Sequence, residues 1–415
     1  MSPKQRTEVD ALIVGAGIAG IATAWQLAER LGTTNAIIVD PRPPLSLTSD
    51  RPEANYRNWW PQRPMVALAN RSIDLMDALR AEGARFDMNR RGYLYVTADP
   101  ARAAGLTELV ERYAAAGLTA DSAEVILDGR DLRARYPHLS AAISGAIHAR
   151  RAGSVDTVGL GRALLAQASE RGIRVVRGEV TGLDPDGRGG LDVFMSTPDG
   201  SERFTTRRLV DAAGPFAATV AGLAGLHLEL ETVLRQKVLL VDPVGIVPRS
   251  APFTIGLDPL DGLPAGVHVK PDDSVRPDAI KLGWARDQDP RPPITEPTCP
   301  AEYPEQVLAR AATIVPGLEA YSGARMQILA HDGGFYARTP DGLPLIGRLE
   351  VPGMFAIAGL AGFGAMLACA AAELLAGWLL DEPASELAAS FDPARFNDQA
   401  TPVRTAAGVA PPGEL

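Results

Sequence analysis

Cysteine is scarce in this sequence: only Cys299 and Cys369 occur among 415 residues. Two cysteines cannot build a disulfide framework, which excludes the small disulfide-bonded secreted folds. The scarcity is typical of a reducing compartment, so we expect a cytoplasmic protein. Histidine is also rare, and the five residues show no metal-ligand spacing, so no metal centre is predicted.

An excess of positive charge is absent as well. Lys and Arg total 41 and Asp and Glu total 50, which gives a net charge of −9. This balance argues against binding to nucleic acid or to an anionic membrane surface. No signal peptide is predicted, because three glycines interrupt the first apolar run.

A continuous membrane-spanning run is not evident either. Residues 354–380 carry a single charge, Glu373, but Gly359, Gly362 and Gly364 divide them. The pattern predicts a strand over Met354–Ala358, a loop and a buried helix rather than a membrane span. The hydrophobic content of 46% is that of an ordinary globular protein, and 415 residues favour two domains.

What the sequence does contain is a dinucleotide-binding fingerprint within its first 40 residues. An apolar strand ending at Val14 runs into Gly15-Ala16-Gly17-Ile18-Ala19-Gly20 and then an alanine-rich helix. The glycines permit a tight turn, close approach of a pyrophosphate and packing of the helix on the strand. The alternative is a glycine-rich turn that binds no ligand.

A second apolar strand, Ala36–Asp40, ends in an acid twenty residues after Gly20. A carboxylate at this place can accept hydrogen bonds from ribose hydroxyls, which favours FAD or NAD over NADP.

The loop after this strand is unusual. Residues 48–61 show neither helical nor strand periodicity and include two adjacent tryptophans, Trp59 and Trp60. Such a loop is either a surface connector or a binding loop. Because tryptophan is costly to leave in water, a pocket or an interface is favoured.

Three later motifs stand in a characteristic order: Leu209–Phe216, Thr339–Gly347 and Ala358–Met366. Together with the N-terminal fingerprint, they resemble the FAD-dependent D-amino-acid-oxidase superfamily, most closely the sarcosine oxidases and glycine oxidases. The resemblance extends over roughly residues 8 to 395, but its motifs do not specify a substrate.

The resemblance implies an α/β fold: a Rossmann-like, GR2-type FAD-binding domain and a second, β-sheet-based α+β substrate domain. The predicted boundaries are 8–64, 145–225 and 326–397 for the FAD-binding domain, 65–144 and 226–325 for the substrate domain, and 398–415 for a loose tail.

The resemblance also implies FAD as the cofactor. Gly334 stands where sarcosine oxidases carry the cysteine that bonds to the flavin, so non-covalent FAD is predicted. The helix that begins at Gly362–Gly364 would present its N–H groups to a developing negative charge. The alternative is that these glycines serve only the packing of the helix. The predicted cofactor-binding residues are Gly15, Gly17, Ile18, Ala19, Gly20, Asp40, Pro41, Thr48, Ser49, Val180, Ala213, Gly214, Gly334, Gly359, Gly362, Phe363, Gly364, Ala365 and Met366.

Three residues match catalytic positions of the family. Lys281 matches the lysine that promotes reaction with oxygen in sarcosine-oxidase-like enzymes; the alternative is a solvated strand lysine. Tyr336 matches a tyrosine of the substrate pocket. Arg57 matches the arginine that grips the substrate carboxylate, with Arg51 as a competitor.

Two positions depart from the family. Ala285 replaces a pocket histidine, and Met366 replaces a lysine that helps to hold the carboxylate. Without these two polar side chains a small amino acid would be bound weakly, so a larger, more apolar or aromatic amine is expected. Trp59, Trp60, Tyr56 and Met366 are its candidate walls.

The predicted function is oxidation of the C–N bond of an amine or amino acid to an imine by hydride transfer to flavin N5. O₂ is the expected oxidant. A bulky or aromatic amine is the expected substrate, which fits a tailoring enzyme of a biosynthetic pathway. Three alternatives stay open: a dehydrogenase that uses another acceptor or works within a complex, a non-catalytic flavin-binding protein, and an NAD enzyme with the same N-terminal fold.

Overall fold

The computed structural model describes residues 7–32, 34–50, 54–119, 122–286 and 289–397. Arg51 and the predicted tail 398–415 lie outside these ranges. The strands are β1 (Thr7–Val9), β2 (Ala11–Val14), β3 (Ala36–Asp40), β4 (Asn55–Arg57), β5 (Tyr93–Thr97), β6 (Ala123–Ile126), β7 (Gly145–Ala149), β8 (Ala152–Ser154), β9 (Arg174–Arg177), β10 (Glu179–Pro185), β11 (Leu191–Thr197), β12 (Gly200–Thr206), β13 (Leu209–Asp211), β14 (Glu231–Val241), β15 (Phe253–Gly256), β16 (His268–Pro271), β17 (Ala279–Gly283), β18 (Ile328–Arg338), β19 (Leu345–Arg348) and β20 (Met354–Ala358).

The α-helices are α1 (Ile18–Leu31), α2 (Arg63–Ala81), α3 (Pro100–Ala104), α4 (Leu106–Ala114), α5 (Gly129–Arg135), α6 (Thr157–Glu170), α7 (Ala217–Gly222), α8 (Tyr303–Ala312), α9 (Gly364–Leu379) and α10 (Glu386–Ala389). Short 3₁₀ helices occur at Thr48–Asp50, Gly214–Phe216, Pro316–Tyr321, Gly323–Arg325 and Pro393–Phe396.

The first layer is a six-stranded sheet in the order β19-β20-β13-β2-β3-β9. Its strands from β20 to β9 are parallel, and β19 pairs antiparallel at the edge. The side chains of β2, β3 and β20 are all buried, as the apolar runs predict for a parallel sheet covered on both faces. This sheet confirms the predicted Rossmann-like layer.

Helices α1, α2 and α9 contribute to one hydrophobic cluster beside this sheet. The facing surfaces of α1 and α9 are rich in alanine, for example Ala22 and Ala28 on α1 and Ala368 and Ala371 on α9, all buried. Small side chains let the two helices approach closely, which brings their N-termini toward the same end of the sheet. No helix in the described ranges has the length and hydropathy needed to cross a membrane.

The second layer is an eight-stranded sheet in the order β18-β14-β17-β16-β15-β5-β7-β6. Its strands pair antiparallel except β15 with β5. One face packs on α8 through alternate residues such as Val238, Leu240 and Leu282. The residues between them therefore point to the opposite face. A four-stranded sheet, β1-β12-β11-β10, and a ribbon of β4 and β8 complete the fold.

The sheets divide the chain differently from the predicted segments. The predicted boundaries put β7 and β18 in the FAD-binding segments, but both strands belong to the eight-stranded sheet. The prediction also put α2 in the substrate segments, whereas it packs in the cluster of α1 and α9. Pairing and packing between segments that are distant in sequence decide these memberships, and the local sequence pattern does not record them. The division into two domains stays a prediction.

The packing of α1 on its own turn depends on Gly20. A Cβ added at Gly20 would lie 2.0 Å from the Gly15 carbonyl oxygen. The helix would therefore have to shift to make room for it. We expect Gly20→Ala to lower the free energy of unfolding by about 3 kcal/mol, measured by chemical denaturation. Gly222→Ala is the matched control, because this exposed end of α7 has no atom within 4 Å of the new Cβ. Equal stability of the two variants would contradict the prediction.

Candidate active site

A cavity lies at the carboxyl ends of β2, β3, β13 and β20. Ligands of open α/β sheets bind at this edge. Five stretches of chain line it: 15–19, parts of 40–49, 212–215, 335–337 and parts of 357–365, together with Thr157.

The N-terminus of α1 opens onto this cavity. Gly15 has a φ of +109°, and a Cβ there would lie 2.4 Å from the Ala212 carbonyl oxygen, so glycine is required. The backbone N–H of Ile18 donates to Ser49 Oγ at 3.0 Å, which ties the 48–50 turn to the start of the helix. The positive end of α1 therefore faces the place where a pyrophosphate is expected.

Asp40 is fixed at the end of β3. Its Oδ2 accepts the N–H of Ala16 at 2.9 Å, and its Oδ1 accepts the N–H of Arg42 at 2.9 Å. The carboxylate thus braces the glycine turn and lines the cavity. Its bond to a ribose hydroxyl stays a prediction.

A second helix N-terminus, that of α9, reaches the same cavity. Gly359 and Gly362 have φ values of +67° and +83°, and a Cβ at Gly362 would lie 2.1 Å from Cε2 of Tyr336. The Tyr336 ring therefore rests directly on the backbone of the glycine loop. The loop and the first turn of α9, at Gly364 and Ala365, line the cavity and can offer N–H groups to a developing negative charge.

Thr157, the first residue of α6, lines this cavity and a neighbouring one. Its Oγ1 is buried and has no hydrogen-bond partner among the described residues. Buried hydroxyls almost always have partners, so the atom marks a place for a ligand. Thr157 is not among the residues predicted from the sequence.

Three features of the cavity fit FAD: two helix N-termini, glycines that admit a close ligand, and a buried hydroxyl without a partner among the described residues.

The neighbouring cavity, of about 1,860 Å³, shares Ser49 and Thr157 with the first. Its lining is charged rather than apolar and includes Lys281. Lys281 is only 4% exposed, so the alternative of a solvated strand lysine is wrong. Its ammonium lies 2.7 Å from the Asp272 carboxylate.

Arg57 is enclosed by aromatic rings. Its guanidinium carbon lies 4.7 Å from the Trp60 ring centroid, 5.6 Å from that of Tyr93 and 5.7 Å from that of Phe363. Its Nη1 also donates to the Tyr95 hydroxyl. Burial raises the pKa of Tyr95 to about 12, although Arg57 opposes that rise, so the phenol stays neutral. The cage links Arg57 to Phe363 in the loop before α9.

The other predicted wall residues lie in the protein core. Trp59 packs against Tyr113 with ring centroids 4.6 Å apart, and the Tyr56 hydroxyl donates to the Asn89 carbonyl oxygen at 2.8 Å. Met366 is buried in the cluster of α1 and α9. Ala285 follows β17 and is half-buried. Trp59, Trp60, Tyr56, Met366 and Ala285 line neither of the two cavities.

The predicted cofactor residues divide into two sets. The cavity is lined by Gly15, Gly17, Ile18, Ala19, Asp40, Thr48, Ser49, Ala213, Gly214, Gly359, Gly362, Gly364 and Ala365. The remaining six lie close by or elsewhere: Gly20 packs under the turn, Pro41 is exposed, Val180 lies in β10, Gly334 faces Thr48, and Phe363 and Met366 flank the start of α9.

Comparisons with known proteins give the class. Residues 10–378 match the family model of the DAO family, described as FAD dependent oxidoreductase. The chain therefore belongs to this family of FAD-dependent oxidoreductases, and FAD is its cofactor. No match was found among curated proteins.

Solved structures share the fold over nearly the whole chain. L-proline dehydrogenase from P. horikoshii has a TM-score of 0.79 at 22% identity, covering 95% of this chain and 99% of its own. Glycine oxidase from Geobacillus kaustophilus has a TM-score of 0.77 at 23% identity, covering 94% and 98%. Iminodiacetate oxidase from Chelativorans sp. BNC1 has a TM-score of 0.75 at 23% identity, covering 92% and 98%.

The geometry at Gly334 generates a test of how FAD is held. A Cβ at Gly334 would lie 3.7 Å from the nearest atom, on Thr48, so the position has room for a side chain on the side of this cavity-lining residue. We expect acid precipitation of the wild-type protein to release all its flavin, and Gly334→Cys to retain a fraction in the pellet, measured by absorbance. Flavin that stays with the wild-type pellet would contradict non-covalent binding.

Proposed function

We propose that this protein is an amine or amino-acid oxidase that converts a substrate C–N bond into an imine and reduces O₂ to H₂O₂. Bound FAD supplies the acceptor for the hydride from the substrate carbon and the donor of two electrons to O₂. The chain's own side chains bind the amine, orient its carbon and place charge near the site of oxygen reduction.

The observation that carries this proposal is the burial of Lys281 in a cavity that shares Ser49 and Thr157 with the FAD cavity. An ammonium kept out of bulk water is costly, and its field is stronger than at the surface. Negative charge develops on oxygen as it takes up electrons, and a fixed cation within the cavity stabilises that charge. The cavity itself provides the room that oxygen needs to reach this lysine.

Tyr336 supports the substrate side of the proposal, because its ring lies on the glycine loop at the FAD cavity. We infer that a bulky or aromatic amine packs against this ring. Arg57 presents a planar donor that suits a carboxylate, but it is buried in its aromatic cage and lines neither cavity. Its role as the anchor for an acidic group of the substrate stays a prediction.

The direct test is the visible spectrum under anaerobic conditions. Purified protein is expected to show a flavin band at about 450 nm, which one class of amine from a panel bleaches and air restores. Release of H₂O₂ during turnover identifies an oxidase. A band that bleaches but recovers only with an artificial electron acceptor would indicate a dehydrogenase instead. A band that no amine bleaches would indicate a non-catalytic flavin protein.

Lys281→Met tests the oxygen half of the reaction. Because the lysine acts on charge that develops on oxygen, we expect the air-driven return of the flavin band to slow by about a hundredfold, while anaerobic bleaching changes by less than about threefold. Stopped-flow absorbance measures both rates.

Arg135→Met is the control, because this exposed cation pairs with Glu124 at 2.8 Å and lines neither cavity. It should leave both rates within about threefold of the wild type. Equal slowing of bleaching and recovery in Lys281→Met would remove the oxygen role of Lys281.

A further inference from the structure

The chain contains four lysines among its 41 basic residues. Lys237, Lys270 and Lys281 are the three that the structure describes, and all three line the second cavity. Arginine fills almost every other cationic position. A lysine carries its charge on one compact, strongly hydrated ammonium group, so burying three of them at one place needs a physical reason.

Two of these lysines lie directly opposite each other. In the antiparallel pair of β16 and β17, Lys270 is in register with Lys281, and their side chains share one face of the sheet. Both are buried, with exposures of 3% and 4%. Like charges at directly opposed positions destabilise a sheet, and burial strengthens their repulsion.

Asp272, one residue beyond β16, meets both ammonium groups. Its Oδ2 lies 2.7 Å from Lys281 Nζ and 3.9 Å from Lys270 Nζ, and the residue is 6% exposed. Its Oδ1 accepts the N–H of Ser274 at 3.0 Å and the Ser274 hydroxyl. One carboxylate oxygen is therefore anchored on its own turn while the other faces the two lysines.

The two lysines differ in how they are held. Lys270 Nζ donates to Asn55 Oδ1 at 2.9 Å and to Ser154 Oγ at 3.2 Å, which fixes it to the ribbon of β4 and β8. Lys281 Nζ lies 2.7 Å from Asp272 Oδ2, whereas Lys270 Nζ lies 3.9 Å from it. Lys281 is therefore the closer of the two lysines to the Asp272 carboxylate.

The second cavity is also lined by charged residues of other elements: Asp50, Arg80, Asp87, Arg91, Asp156, Arg162 and Asp273. A second ion pair lies on the same face of the sheet as Lys281. Lys237 of β14 lies 3.5 Å from Asp332 of β18. Asp332 is directly opposite Lys237 in the strand register, one row away from Lys281. Burial raises the pKa of Asp272, but Lys281 and Lys270 lower it by more, so this carboxyl is ionised at neutral pH.

We propose that Asp272 is a positioning residue for oxygen reduction: it fixes the Lys281 ammonium toward the FAD cavity and separates its charge from that of Lys270. The inference rests on the proposed oxidase function. Asp272 does not itself touch substrate or cofactor, and its effect passes through Lys281.

The test begins with Asp272→Asn, which keeps the shape and removes the charge. The holoenzyme is photoreduced anaerobically, so that no substrate is required, and then mixed with aerated buffer. We expect the flavin band to return about tenfold more slowly than in the wild type, because Lys281 loses its carboxylate partner while the opposing charge of Lys270 remains.

Two variants separate this electrostatic role from a purely structural one. Adding Lys270→Met to Asp272→Asn removes the opposing charge and should restore most of the rate. Asp273→Asn, a change at the adjacent residue that pairs with Arg91 and Arg249, is the control and should match the wild type. Slowing that Lys270→Met does not rescue would overturn the inference.

A second readout uses the full chain without FAD. The pKa of Asp272 is depressed in the folded protein, so the ionised carboxylate stabilises the fold at pH values above its unfolded pKa. This contribution is lost progressively as the pH falls from about 5 to 2 and below. Asp272→Asn should lack this part of the acid dependence of the denaturation midpoint. In a double-mutant cycle with Lys281→Met, the combined midpoint loss should be smaller than the sum of the two single losses.

The two readouts distinguish the possible failures. Coupling in the cycle, together with no effect of Lys281→Met on oxygen reaction, would contradict the proposed function while leaving the ion pair intact. An effect of Lys281→Met on oxygen reaction, together with no coupling to Asp272, would overturn the positioning role and leave the proposed function intact.

Discussion

The close approach of backbone to backbone at the first glycine turn is the constraint on which this structure depends. Gly15 lies against the Ala212 carbonyl, and Gly20 lies against the Gly15 carbonyl, with no space for a Cβ at either position. These contacts seat α1 on the junction of β2 and β13. The cavity at the sheet edge exists because the helix starts there, and α9 packs on the same helix, so its own N-terminus reaches the cavity too.

The second sheet brings a cluster of buried charged side chains to the cavity beside this nucleotide site. Residues that alternate along β16 and β17 send Val269, Ile280 and Leu282 into the core on α8, which forces Lys270 and Lys281 to the opposite face. That face adjoins the FAD cavity through Ser49 and Thr157. Because side chains alternate between the two faces of a strand, β16 and β17 contribute apolar residues to the core on one face and buried charged residues on the other.

How much of this the sequence predicts follows from how local each signal is. The glycine turn, Asp40 and the strand–loop–helix at 354–380 were all predictable, because each is written within about 30 residues and only certain residue types satisfy its geometry. The bounds of β20 agree with the prediction. The cavity position of Thr157 and the bonds of Lys270 to Asn55 and Ser154 were not predictable, because they join elements that are far apart in sequence. The burial of Trp59 against Tyr113 was missed for the same reason. The contacts of Asp272 lie within one hairpin, but they depend on the register of β16 and β17, which the local pattern does not give.

The lysine cluster is better explained by chemistry than by stability. Removing two ammonium groups and a carboxylate from water costs several kcal/mol per ion, and buried ion pairs are often no more stable than apolar residues of the same size. Leucine or methionine at Lys270 and Lys281 would satisfy the sheet at lower cost. A sequence that otherwise uses arginine for positive charge nevertheless places lysines here, in pairs with carboxylates, beside a cofactor cavity. Fixed charge of this kind is useful where a reaction creates charge, and oxygen reduction is such a reaction.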